Sequence, residues 1–153
     1  MGDSRWSDFL FKTVRRNEKN NFKNAIKKQI DVTCQIITCI SENAEEATLR
    51  AKKTLAFYVS VGNIYREFLS KNGFQNETEN IFEEFKKSGF KSNHELVTDS
   101  MLNSLCVAGN PNDVKTQLQK FRDVGINLPI IQFNPIGDTK ESFSLLKNTL
   151  LEN

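Results

Sequence analysis

Histidine and proline are scarce in this 153-residue chain, which contains one His and three Pro. The single histidine, His94, has no cysteine or carboxylate cluster beside it at metal-ligand spacing, so we predict no metal site. The residues also form no recognisable Ser/His/Asp triad, Cys/His pair or pair of carboxylates arranged for acid–base catalysis. We therefore assign no catalytic residue and no metal from the sequence.

Cysteine is limited to Cys34, Cys39 and Cys106, an odd number without a CxxC pair. This pattern is typical of buried free thiols in a reducing compartment rather than of a disulfide framework. No apolar run near the N-terminus has the form of a signal peptide, and no apolar stretch is long enough to span a membrane. We expect a cytoplasmic protein without a membrane partner.

A strong excess of basic charge is also missing, because 21 basic and 19 acidic residues leave a formal net charge of +2. Nucleic-acid-binding domains usually have a larger basic excess on one face. One locally basic region could bind an anion such as RNA or DNA, although we favour the solvated face of an outer helix. We therefore predict no nucleic-acid partner. The basic residues of this region are Arg15, Arg16, Lys19, Lys23, Lys27 and Lys28.

Two segments have the composition of β-strands. The first, 31–41, is rich in β-branched residues and lacks Gly and Pro, and the second is 128–133. Alternation along the first strand separates two faces. The more apolar face should contact helices, and the mixed face suits the interior of a barrel near its mouth. The apolar face contains Val32, Cys34, Ile36 and Ile40 with Thr38, and the mixed face contains Thr33, Gln35, Ile37 and Cys39.

A long amphipathic helix is predicted directly after the first strand, over Asn43–Phe74. Asn43 and Glu46 have the spacing of a capping box, and small or apolar residues recur every three or four positions behind them. Further helical patterns cover 76–105. The order of strand, long helix, more helices and strand is typical of a β/α protein.

The clearest helix start follows Val107-Ala108-Gly109. Asn110 has the position of an N-cap, Pro111 that of the first helical residue, and Asp113 that of the third. A final helix is predicted to start at Asp138. No G-x-G or other phosphate-binding loop occurs in the sequence.

These segments together resemble the C-terminal part of the luciferase-like flavin- and deazaflavin-dependent oxidoreductases. That family includes bacterial luciferase, flavin monooxygenases and methylene-tetrahydromethanopterin reductases. The resemblance covers about 31–152 and extends more loosely over 7–30. It depends on the first strand, the acidic Ala-rich start of the long helix, its Tyr65-Arg66-Glu67-Phe68-Leu69 segment, Gly73-Phe74, the Val107–Pro111 helix start, Val124-Gly125 and the last strand and helix.

The resemblance implies an α/β fold that is the C-terminal portion of a (β/α)8 TIM barrel, mostly helical with two parallel strands. Such barrels need roughly 250 residues. The chain is therefore expected to be a fragment that a missing N-terminal barrel half or a homo-oligomer completes. Residues 1–153 would form one incomplete domain, with a barrel helix over 7–30, strand seven and its long outer helix over 31–74, a helical insertion and a helix over 75–127, and strand eight with the final helix over 128–153.

The resemblance also implies the chemistry of the parent enzyme. That enzyme would transfer hydride or oxygen to a small-molecule substrate, such as a methylene-pterin, through FMN or a deazaflavin coenzyme. We expect no activity from this chain alone. Active sites of such barrels lie at the C-terminal ends of the strands, so the expected cofactor-binding residues are Gln35, Cys39, Gln132 and Asn134. The alternative is a helical interaction module without catalysis.

Overall fold

The structure, a computed structural model, describes residues 31–151. The helix predicted over 7–30, with its six basic residues, lies outside the described residues. The elements in chain order are β1 (Thr33–Ile40), α1 (Ala44–Val61), α2 (Asn63–Leu69), a π-helical turn (Ser70–Phe74), α3 (Gln75–Ser88), a 3-10 turn (Asn93–Leu96), α4 (Asp99–Leu105), β2 (Cys106–Gly109), α5 (Pro111–Asp123), β3 (Leu128–Phe133) and α6 (Thr139–Leu151).

The strands form one parallel sheet in the order β2-β1-β3. Along its first six residues, Thr33–Thr38, β1 pairs with β3. On its other side β1 pairs with β2, but only over its C-terminal half, Ile37–Ile40. The parallel pairing and the high helix content confirm the predicted α/β fold class.

The number of strands differs from the prediction, because β2 is a third strand where the sequence indicated the end of a helical region. All four of its residues are buried. A four-residue apolar segment directly after a helix is too short for its periodicity to separate strand from helix. The prediction for the following helix is confirmed, because Asn110 caps α5 and Asp113 completes the capping box.

The predicted long helix is divided at Gly62, which leaves the helical conformation with φ −98° and ψ 93°. The break leaves carbonyl groups without their usual helical partners. Arg66 satisfies two of them, since its Nη1 donates to Val59 O at 2.7 Å and to Ser60 O at 3.2 Å. The Arg66 guanidinium also lies 3.7 Å from the centre of the Phe82 ring.

No helix within the described part of the chain is long and apolar enough to cross a bilayer.

Helices cover both faces of the sheet. On the face that contains Ile36 and Ile40, which we call the Ile36 face, the core includes residues of α5 and α6. On the opposite face, the Cys39 face, the core includes Ile37, Cys39 and the α1 residues that face them. The α1 residues in this second core are Ala47, Ala51, Leu55, Ala56 and Val59.

The position of α1 differs from the predicted arrangement. The sequence predicted that the long helix lies on the Ile36 face, as an outer helix, and that the Cys39 face lines a barrel interior. Instead, α1 covers the C-terminal half of the Cys39 face. At the other end of that face Thr33, Gln35, Leu128 and Ile130 are exposed, with half of the surface of each of Leu128 and Ile130 accessible to solvent. We call this set the open half-face.

Candidate active site

Polar side chains cross the Cys39 face next to α1. Gln132 of β3 donates to the Tyr58 hydroxyl at 2.8 Å. Gln35 of β1 lies beside it and donates to Gln132 Oε1 at 3.4 Å. Two of the predicted cofactor-binding residues are therefore adjacent, and a tyrosine of α1 is hydrogen-bonded to one of them.

Asn134, the third predicted residue, lies directly after β3 and is buried. Its backbone N–H donates to Thr38 O at 2.9 Å, which continues the pairing of β3 with β1. Its Nδ2 donates to Gln132 O at 2.8 Å. The Thr54 hydroxyl of α1 lies 3.3 Å from Asn134 Oδ1. The side chain is thus held in one orientation at the end of the strand.

Cys39, the fourth predicted residue, is fully buried beneath α1. Burial raises the pKa of its thiol to about 12, and the nearby positive charge of Arg50 opposes that shift. A group without accessible surface cannot contact a cofactor in this arrangement. Cys39 is therefore covered completely by α1, whereas Gln35 and Gln132 on the same face keep accessible surface.

A cavity of about 360 Å³ opens beside Asn134. One wall is a row of α1 side chains, and the cavity is also lined by Phe90, which precedes the 3-10 turn, and by Asn93, the first residue of that turn. We call it the α1 cavity. Its lining residues are Arg50, Lys53, Thr54, Phe57, Tyr58, Phe90, Asn93 and Asn134.

Sequence reasoning missed the contribution of α1 to this cavity. Arg50, Lys53, Thr54 and Phe57 follow one another at spacings of three, one and three, which places them along one side of a helix. That stripe was the available signal. It was not recognised because the predicted position of the helix, outside the barrel, would have directed such a stripe into solvent.

Among residues 31–151, no set of three or more His, Cys, Asp or Glu side chains is arranged to hold a metal ion. The polar atoms at the strand ends are amides and hydroxyls, which donate and accept hydrogen bonds with neutral organic groups. The site is therefore suited to orienting an organic ligand.

Because α1 buries Cys39, the three thiols should react at different rates with a labelling reagent. We expect Cys34, which is half-buried, to react first with Ellman's reagent, and Cys39 and Cys106 to react only when the chain unfolds. Burial raises the pKa of all three thiols, so little reactive thiolate exists at neutral pH. Mass spectrometry of each cysteine-containing peptide during labelling would measure the three rates.

The sign of the linked pH effect follows from the raised pKa of Cys39. Because the buried thiol is protonated, its contribution to the free energy of unfolding is fully present below the ordinary pKa of 9.0 and is lost as the pH rises towards 12.

In the labelling experiment a Cys34→Ser variant is the control, since it should remove only the fast phase of the reaction. Labelling of Cys39 at the rate of Cys34 in the native chain would contradict the packing described above.

A parallel sheet with helices on both faces and polar groups beyond the C-terminal strand ends is the architecture of β/α enzymes. The model of the luciferase-like monooxygenase family matches residues 12–128 of the chain. The chain therefore belongs to the luciferase-like monooxygenase family, as the sequence resemblance indicated.

The fold is similar to that of the coenzyme F420 dependent tetrahydromethanopterin reductase from Methanopyrus kandleri. The two align with a TM-score of 0.69 and 19% sequence identity, over 95% of this chain and 41% of the reductase chain. The chain thus spans less than half the length of the solved structure it matches. This relation supports the predicted partial barrel and, at this identity, concerns the fold alone.

Proposed function

We propose that this chain supplies the C-terminal portion of a luciferase-like oxidoreductase, and that it forms a flavin or deazaflavin site only with the barrel strands it lacks. The observation that carries the proposal is the open half-face. Apolar side chains of a parallel sheet are normally covered on both faces. Here Leu128 and Ile130 of β3 share the face of Gln35, and each has half of its surface exposed.

The two faces of the sheet have different roles in this proposal. In a (β/α)8 barrel the helices that connect the strands lie outside, and the side chains of the other face fill the interior. Both α5, which precedes β3, and α6, which follows it, lie on the Ile36 face. The Cys39 face is then the interior, and α1 lies over the barrel mouth as part of an insertion.

The pairing of the strands indicates how the barrel would be completed. The N-terminal half of β1 is unpaired on the side of β2, and β3 has no second neighbour among residues 31–151. A closed barrel would pair the first edge with a preceding strand and the second with the first strand. We propose an N-terminal barrel portion as the partner, because it would provide both strands at once.

The chemistry of the polar residues fits a flavin or deazaflavin ring. The amides of Gln35 and Gln132 and the Tyr58 hydroxyl both donate and accept hydrogen bonds, as a ring with carbonyl and N–H groups requires. The bound cofactor would supply hydride or oxygen transfer. The residues of this chain would orient the ring, and α1 would exclude water from the mouth of the barrel. The substrate would be a small molecule.

The first test is cofactor binding with and without a barrel partner. The chain would be co-expressed with the portion of the Methanopyrus kandleri reductase that it does not match, and in parallel with the polypeptide encoded immediately upstream. We expect fluorescence titration with FMN and with the deazaflavin coenzyme to detect binding only by a co-purified assembly. The isolated chain and each isolated partner are the controls.

Measurements on the isolated chain could overturn the proposal. A monomeric isolated chain whose β1 and β3 amides exchange slowly would show that both edges need no partner. Tight cofactor binding by that monomer would exclude a required second portion. A homodimer that binds the cofactor would show that a second copy of the chain takes the place of the N-terminal portion.

We also propose a cytoplasmic location, which the free thiols of Cys34, Cys39 and Cys106 support.

A further inference from the structure

We propose that the α1 cavity binds an anionic ligand with a planar ring, with Arg50 and Lys53 binding the anion and Phe57 and Phe90 contacting the ring. If the chain acts as proposed above, this ligand is the substrate of the oxidoreductase, and that identification rests on the proposed function. The binding site itself is formed within this chain.

The charge of the cavity is the first argument. Among residues 31–151, Arg50 and Lys53 are its only ionisable lining groups apart from the Tyr58 phenol, and no carboxylate of these residues lines it. Neither cation forms an ion pair or a side-chain hydrogen bond within the described residues, whereas Lys52 of the same helix pairs with Asp99 at 3.1 Å. Two adjacent positive charges without an ion-pair partner in this part of the chain favour a bound anion.

The helical spacing of the two cations adds to this argument. Residues three apart on a helix lie on neighbouring parts of one face, so the charges of Arg50 and Lys53 converge on one side of α1. Arg50 can bind a carboxylate or phosphate with two parallel hydrogen bonds, and Lys53 can add a point charge. A carboxylate or a phosphate ester fits this pair.

The aromatic side of the cavity is the second argument. The rings of Phe57 and Phe90 have centroids 5.5 Å apart, and the Phe57 and Tyr58 rings are 5.7 Å apart in an edge-on arrangement. Large parts of the Phe57 and Phe90 side chains are exposed, 45% and 51% respectively. Exposed rings beside one another stabilise a planar ligand through apolar contact and stacking.

The polar lining residues and the volume of the α1 cavity also indicate which ligands fit. Asn134 and Thr54 also line the cavity, and their amide and hydroxyl can hydrogen-bond a neutral group of the ligand. A volume of about 360 Å³ falls within the usual range for sites of small organic molecules. The cavity therefore suits an aromatic or heteroaromatic acid better than a long or bulky substrate.

The test uses the full chain and two probes of nearly equal shape, 2-naphthoate and neutral 2-naphthamide. NMR titration should give tighter binding of naphthoate, with shifts centred on Arg50, Phe57 and Phe90. The double variant Arg50→Ala/Lys53→Ala should weaken naphthoate binding at least tenfold and leave naphthamide binding unchanged. Lys52→Ala is the matched control, because Lys52 belongs to the same helix but lies outside this cavity.

A second variant keeps the test informative if the double variant is poorly folded. Phe57→Ala should weaken both probes equally, and the single variants Arg50→Gln and Lys53→Gln keep the helix and remove one charge each. Equal affinity for naphthoate and naphthamide in the unchanged chain would overturn the proposal. So would unchanged naphthoate binding in both single variants.

The outcomes also separate this inference from the proposed function. If a co-expressed assembly binds FMN or the deazaflavin but the cavity does not prefer naphthoate, the anion site is wrong and the oxidoreductase proposal stands. If the isolated chain prefers naphthoate but no assembly binds either cofactor, the anion site stands and the ligand is not an oxidoreductase substrate.

Discussion

Replacing Ile130 with Glu is expected to abolish association with a barrel partner while the chain itself remains folded. The side chain lies on the open half-face and half of its surface is exposed, so the carboxylate can remain hydrated in the isolated chain. In a completed barrel the same position faces the interior, where an unpaired charge is strongly unfavourable. A cost of about 3 kcal/mol or more would lower the affinity at least a hundredfold.

The measurements are a pull-down with the co-expressed N-terminal portion and thermal unfolding of the isolated variant. We expect the melting temperature to change little, as for other exposed substitutions. Leu151→Glu is the matched control, since Leu151 of α6 is also apolar and exposed but lies outside the open half-face. Unimpaired association of the Ile130→Glu variant, or unfolding of the isolated chain, would contradict the assignment of this face as a barrel interior.

The elements that the sequence predicted correctly are those specified by local interactions. β1 and β3 combine β-branched residues with adjacent turn signals, and both are present. The N-cap of α5 by Asn110 and the cap of α6 by Asp138 depend on side chains within three residues of the helix start. Local signals of this kind do not depend on the rest of the fold.

The features that were missed depend on distant contacts. The break at Gly62 is stabilised by the Arg66 guanidinium, which binds the freed carbonyls and stacks on Phe82 of α3. The face that α1 covers could not be inferred from β1, because both faces of this strand carry buried apolar residues, with Ile36 and Ile40 on one and Ile37 and Cys39 on the other.

The candidate site shows the same division. Position at the C-terminal strand ends is the reason Gln132 and Asn134 were predicted, and the Asn134 side chain donates to Gln132 O. The same position does not reveal that Cys39 is buried, because that burial follows from the position of α1. The cations of α1 were missed for the same reason, because their role depends on which face the helix covers rather than on their own spacing.

The second large effect concerns the junction between β2 and α5. Replacing Gly109 with Ala is expected to destabilise the chain by about 3 kcal/mol or more. Gly109 is buried with φ +147°, a conformation that residues with a Cβ rarely adopt. An added Cβ would lie 2.5 Å from Asp113 Cβ. Asp113 cannot move away freely, because its Oδ2 accepts the Asn110 N–H at 3.0 Å in the capping box.

Three further variants separate the backbone conformation from the contact with Asp113. Gly125→Ala places a Cβ at φ +101° with no atom within 4 Å, so it measures the conformational cost alone and should be milder. Asp113→Ala removes the capping carboxylate, and the double variant with Gly109→Ala should lose less stability than the sum of the single changes. Urea unfolding measures all four free energies.

If Gly109→Ala costs no more than Gly125→Ala, the close contact with Asp113 does not determine stability. If Gly109→Ala costs more and Asp113→Ala relieves part of that cost, the end of β2 and the N-cap of α5 constrain each other's position. This junction also contacts the residue after β1, because the Ser41 N–H donates to Gly109 O at 3.2 Å. The C-terminal end of β1 would then depend on this junction for its position at the barrel mouth.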